Sequence, residues 1–259
     1  MAMNPFLLLG PVGMVAVGVA AMVYWRRRSS AALKYFLFGG IFWAAAIAVK
    51  LAMDLTVTTP LYLSWLGWGE PAALIALGAY VGLRTGVLEC LAPYIGFRSR
   101  RLGGISMDEA MAVGVGFGAA EAVVIAIPSL LQMLVFFLYP SALAALPADQ
   151  ALVVEAQLSQ PTYMALAAAW ERAFVILVHA FTTLLAFVAA KAGWKPLLAA
   201  VLFKSALDGP LPVMQSYLGA GWLGTAIIEI FVAVMGLIAL LGIMRVRRGH
   251  AGEAAGKKL

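Results

Sequence analysis

Ten ionisable side chains lie inside stretches of this sequence that are otherwise apolar enough to cross a bilayer: Lys50, Arg84, Glu89, Glu121, Glu171, Arg172, His179, Lys204, Asp208 and Glu229. A charged group at the bilayer centre costs at least about 2.5–3.5 kcal/mol, so such groups persist where they face one another or a wet cavity. Carboxylates can take a proton from water, and imidazole or ammonium groups can donate to a developing oxyanion. That is the chemistry of hydrolysis. The same groups in series would suit a proton relay.

Spacing sorts these residues onto faces. Gly114, Gly118 and Glu121 are four and then three apart, so they share one face of a helix, and small residues at that interval let a neighbouring helix come close. The approach either delivers that neighbour to a working carboxylate or is plain packing, with Glu121 bonded to a serine or a backbone carbonyl. Glu171-Arg172 is followed by His179, two turns or about 10 Å beyond Arg172 on the same face, and then by Thr182-Thr183. His179 is read either as a site residue or as a hydrogen-bonded packing residue. Lys204 and Asp208, four apart, can pair on one face, and Gly209-Pro210 ends or breaks that helix near mid-membrane. Glu89 sits between Gly86 and Pro93, whose disturbed backbone is tolerable only where protein or water satisfies it, so Glu89 is expected to point inward. Lys50, Asp54 and Glu229 fall nearer the outer ends of their segments, where snorkelling or interhelical pairing is the expected role.

The elements that must position these groups follow from composition. Of 259 residues 64% are hydrophobic and 12% charged, with mean hydropathy +0.96; soluble domains carry about 25% charged residues. Runs of roughly 20 residues, enough for about 30 Å of hydrocarbon, occur at about 5–25, 33–55, 71–96, 107–128 with an apolar continuation towards 139, 162–190, 196–214 and 222–244. The predicted fold class is all-α, a polytopic membrane helix bundle of about seven transmembrane helices: a single transmembrane domain over 1–244 and a basic tail over 245–259. The first run has no cation before it and Arg26, Arg27 and Arg28 after it, so it reads as a retained span and not a cleaved signal. Of the 18 Lys and Arg residues, 14 are extramembrane, and with seven spans all of them fall on one side. Cytoplasmic loops carry the positive excess, so the amino terminus is expected outside and the carboxyl terminus in the cytoplasm. The segments 56–70 and 140–160 are then external loops, the first carrying an interfacial aromatic belt around Tyr62, Trp65 and Trp68. Pro128 and Pro140 bracket either a kinked extension or a surface-lying piece.

The net charge of +6 follows from that topology and calls for the bilayer as partner, with no nucleic acid. No His-Glu-x-x-His, Gly-x-Ser-x-Gly or phosphate loop is present. Cys90 is the sole cysteine, which excludes an internal disulfide and a Cys-rich metal site. His250 lies in the tail, so His179 is the one intramembrane histidine, whereas catalytic zinc usually takes two or three imidazoles or thiolates. No cofactor is expected, a metal ion being the disfavoured alternative.

Taken in order, four segments resemble the glutamic-type intramembrane proteases that include the CAAX-processing and bacteriocin-processing enzymes, most closely the PrsW and YhfC branches. The family's acidic pair is similar to Gly86-Val-Leu-Glu89-Cys90, where cysteine replaces the second acid. Its Phe-x-x-x-Glu resembles Phe117-Gly-Ala-Ala-Glu121. Its Arg followed by His-x-x-x-Thr resembles Arg172 through His179-Ala-Phe-Thr-Thr183. Its His-x-x-x-Asn/Asp resembles Lys204-Ser-Ala-Leu-Asp208, with lysine for histidine. The resemblance covers roughly residues 30–210. It implies Glu89 or Glu121 as the base that activates water, His179 and Asp208 in polar support, Lys204 as an oxyanion donor, and Phe117, Glu171, Arg172 and Thr183 as supporting residues.

The leading expectation is therefore an endopeptidase of the cell membrane, multi-pass, that cuts a membrane protein or membrane-associated peptide with a glutamate-activated water. The superfamily also contains a non-proteolytic scaffold, so a catalytically silent, partner-binding homologue is the alternative. A proton-coupled transporter is third, since no internal repeat is visible. Glu89, Glu121, His179 and Asp208 are expected to converge on one cavity in the membrane interior.

Overall fold

In hydrocarbon no water competes for backbone N–H and C=O groups, so every crossing segment must close its own hydrogen bonds as a helix. The computed structural model describes residues 4–219 and 221–256, with side chains to His250, and among the described residues there is no strand. Lys257 and Lys258 of the cation count lie outside the described residues. The elements are α1 (Leu9–Ser29), α2 (Leu33–Met53), α3 (Thr59–Trp65), α4 (Glu70–Phe97), α5 (Met107–Leu138), α6 (Pro140–Ala144), α7 (Ala148–Leu158), α8 (Tyr163–Ala192), α9 (Lys195–Asp208), α10 (Leu211–Leu218) and α11 (Trp222–Gly256). They give seven helices, counting continuous runs, that are long and apolar enough to cross a membrane.

Several boundaries differ from the sequence expectation, each for a local reason. The stretch 56–70 is not a loop: a π-helical turn over Asp54–Thr58 joins α2 to α3, and the run Leu33–Trp68 is one 36-residue helical rod. At 1.5 Å per residue that is about 54 Å, longer than the ~30 Å hydrocarbon core, with the aromatic residues at its far end. Trp65 and Trp68 stack there at 6.1 Å. The stretch 140–160 folds as α6 and α7, whose Leu143 and Leu158 are buried with Phe136 of α5. Helix α5 runs unbroken through Pro128, so the bracketed stretch is an extension of the fourth span. The sixth span is two pieces, α9 and α10, separated at Gly209-Pro210. Helix α11 continues past Met244 into the basic tail, where Arg247 pairs with Asp108 at 2.9 Å and covers the Trp25 ring.

Helix α8 is the hub: α1, α4, α5, α9 and α11 all pack on it, while α2 packs on α4 and α5. Without a hydrophobic drive between helices in lipid, close van der Waals contact sets the assembly, and small residues permit it. A Cβ on Gly114 would lie 2.7 Å from the Ala180 Cα of α8, and one on Gly118 2.9 Å from the Ile176 Cα. On the other side of the bundle, a Cβ on Gly82 would lie 2.7 Å from the Gly209 Cα, at the break after α9. These contacts bring α4, α5 and α9 close around the middle of α8, which fixes where their polar side chains meet.

Candidate active site

Glu89 reaches the interior because it continues a stripe of α4. Gly82, Gly86, Glu89 and Pro93 are spaced four, three and four, and all are buried. Pro93 lacks an N–H, so the carbonyl of Glu89 has no helical donor at that turn. On α5, Gly114 and Gly118 carry the same face to Glu121. On α8, Arg172 and His179 lie two turns apart on the face that receives α5, and both are buried. On α9, Lys204 is buried one turn before Asp208.

The imidazole of His179, 2% exposed, lies between two carboxylates. Its Nε2 is 2.9 Å from Oε2 of Glu121, and its Nδ1 is 3.8 Å from Oε2 of Glu89. The ring stacks on Phe117 at 4.6 Å between centroids. Arg172 donates from Nη1 to Oε1 of Glu121 at 2.7 Å, and its Nη2 pairs with Glu171. Lys204 Nζ is 3.2 Å from Oε2 of Glu89 and 3.1 Å from Oδ2 of Asp208. Lys50 of α2 pairs with Oε1 of Glu89. Glu121 therefore accepts a hydrogen bond from a guanidinium and lies at ion-pair distance from an imidazole, and the serine or backbone-carbonyl alternative does not occur.

The structure thus gathers Glu89, Glu121, His179, Lys204 and Asp208 through successive contacts. Other residues lie apart. Glu171, 32% exposed at its side chain, meets the centre only through Arg172. Thr183 packs against Gly114 at the α5–α8 contact, where a Cβ on that glycine would come within 3.0 Å of it. Cys90, in place of a second acid, is a buried thiol on the α4 stripe. Asp54 and Arg84 form their own pair with Thr58. Glu229 stays outside the network, with Glu171 and Arg172 as its charged neighbours. Lys50 falls near an outer end of its apolar run, where interhelical pairing is one of its two expected roles, and pairing is what the structure shows. The signal that locates it is the stripe Gly39, Trp43, Ala46 of α2, which a step of four continues to Lys50.

Two observations bear on a metal ion. Glu89, Glu121 and His179 each offer a ligand atom, and these atoms lie within 4.8 Å of one another. Oε2 of Glu89 and Nε2 of His179 are also buried without a hydrogen-bond partner, their nearest charged neighbours being at ion-pair distance but out of line. Counting imidazoles alone sets zinc aside, yet carboxylates ligate as well, and one histidine with two acids is an acceptable donor set for a divalent cation. The charge count agrees: Glu89, Glu121, Glu171 and Asp208 face Lys50, Arg172 and Lys204, leaving one carboxylate in excess when the imidazole is neutral. The residues present fit such an ion.

A family model described as "YhfC intramembrane metalloprotease" matches residues 13–233, a span that holds every side chain just described. No curated protein and no solved structure matches the chain.

Proposed function

The chain belongs to the YhfC intramembrane metalloprotease family, and we propose that it hydrolyses a peptide bond of a membrane-associated protein at the centre made by Glu89, Glu121 and His179. One observation carries this reading: an imidazole held between two carboxylates from two other helices, 2.9 and 3.8 Å away, inside a seven-span bundle.

Glu89, Glu121 and His179 would hold a divalent ion. Such an ion supplies Lewis acidity towards a carbonyl and acidifies a bound water. Of the three, Glu121 is the most accessible, with 15% side-chain exposure against 4% and 2% for Glu89 and His179. With an ion bound it would serve as a ligand; with none held, it is the group placed to take a proton from the attacking water. The hydroxyl then bonds to the peptide carbon, the C–N bond breaks, and the proton passes to the departing amine, leaving a carboxylate and an amine. Arg172 keeps Oε1 of Glu121 occupied, so Oε2 is the oxygen that works. Lys204 stands where the family pattern has histidine and can donate to the oxyanion, with Asp208 holding its ammonium. The bundle keeps bulk water away, which strengthens each of these interactions.

The rival reading, a silent scaffold, is favoured by one feature: both Lys50 and Lys204 rest on Glu89. Chelation separates the mechanisms. The purified protein in liposomes containing native membrane proteins, followed by mapping of newly formed amino termini, should lose cleavage after treatment with 1,10-phenanthroline and regain it with Zn²⁺ or Co²⁺. Cleavage that persists in metal-free protein would assign the chemistry to the carboxylates alone. No cleavage under any condition would favour the scaffold.

A further inference from the structure

Each of the two central carboxylates has its Oε1 committed to a cation on another helix, while Oε2 of Glu89 also lies 3.2 Å from Nζ of Lys204. Arg172 of α8 occupies Oε1 of Glu121, and Lys50 of α2 occupies Oε1 of Glu89. In both, Oε2 is the oxygen turned to the imidazole. The terminal torsion of a glutamate is broad and roughly two-fold, so nothing in the side chain itself selects that orientation. We propose that Lys50 is a positioning residue of the proteolytic centre: its ammonium fixes Glu89 so that Oε2 faces His179. The assignment rests on the proteolytic reading above.

The placement of Lys50 is built into α2. The buried stripe Gly39, Trp43, Ala46 reaches Lys50 in steps of four, three and four, which keep one azimuth. Trp43 and Ala46 cluster with Phe117, the residue whose ring stacks on His179. The side chain of Lys50 is 13% exposed, so its charge is taken into the bundle and not out to an interface. Four residues further on, at the start of the π-helical turn, Asp54 pairs with Arg84 of α4. The contact of α2 and its π-helical continuation with α4 therefore carries two ion pairs of opposite polarity in tandem. One touches the centre and the other does not, which provides an internal control.

The test uses the full chain in detergent or nanodiscs, stripped of metal and titrated with Co²⁺, whose visible spectrum reports its ligand geometry. Lys50→Met keeps the length of the side chain and removes its charge. A partner that orients a ligand is worth about 10–100-fold in metal affinity, so Lys50→Met should bind Co²⁺ weaker by that factor and with an altered spectrum. Lys50→Arg should restore binding to within about fivefold, because a single contact on one oxygen does not depend on the shape of the cation. Asp54→Asn, which breaks the neighbouring pair, should bind Co²⁺ as wild type does. The proposal is overturned if Lys50→Met leaves affinity and spectrum unchanged, if Asp54→Asn matches its loss, or if wild type binds no Co²⁺. Mapping of new amino termini runs alongside: Co²⁺ results as expected with no cleavage by wild type would defeat the proteolytic reading and leave the role of Lys50 towards Glu89 standing.

Discussion

At the scale of single residues, His179 has a carboxylate against each ring nitrogen, and each of those carboxylates leans on a cation from elsewhere in the bundle. Such a relay of charges is intolerant of gaps, since removing one partner of a buried pair leaves the other charge uncompensated at about 3–5 kcal/mol. Arg172 holds two carboxylates, Glu121 and Glu171. Arg172→Met should therefore lower stability by about 3–5 kcal/mol, and Arg172→Lys, which keeps the charge and loses the fork, by distinctly less. Chemical denaturation in mixed micelles measures both; equal, small losses would mean that Glu121 finds another partner. Glu121, His179, Lys204 and Asp208 were legible in the sequence because each is an ionisable group in an apolar run and lies at helical spacing from a glycine stripe or another charged residue. Lys50 was not, because depth in a hydropathy window does not say whether a long side chain turns inward or snorkels. The mixed donor set was hidden for a different physical reason: ligands from three helices leave no spacing signature.

At the scale of elements, the seven spans were legible because an apolar run of membrane length, in a chain with so few charges, has nowhere to be buried but lipid. What hydropathy could not show was where helices stop. The run over 56–70 is polar and aromatic enough to read as a loop, yet Thr58 donates to Asp54 and Thr56 to the Ala52 carbonyl, which satisfies polar groups within the helix. Conversely, Gly209-Pro210 marks a break that the sequence did announce. The side on which each end lies follows from the cations alone, and we expect the amino terminus outside. Reporter domains fused after Trp68 and after Arg101, which flank α4, should then report from opposite faces, the first external and the second cytoplasmic. Both on one face would remove α4 as a span and separate Glu89 from its partners.

At the scale of the whole molecule, α8 sits at the centre with Arg172 and His179 on it, and α4, α5 and α9 bring acids and a lysine to that one helix. The basic end of the bundle is tied by Arg247, Asp108 and Trp25, three residues from three helices. The polar centre lies among buried side chains well inside that frame, so a peptide bond cut there must first leave its own helical hydrogen bonds. Cleavage points should accordingly fall in or beside membrane segments of the substrate. The most direct measurement is the set of new amino termini that the purified protein generates in native membranes, compared between wild type and Glu121→Gln. Glutamine keeps the shape and hydrogen-bonding reach of Glu121 but cannot accept a proton from water. Wild type should give termini clustered at membrane segments and Glu121→Gln none, while both proteins remain folded in the bilayer. The same termini from both proteins would contradict the role given to Glu121.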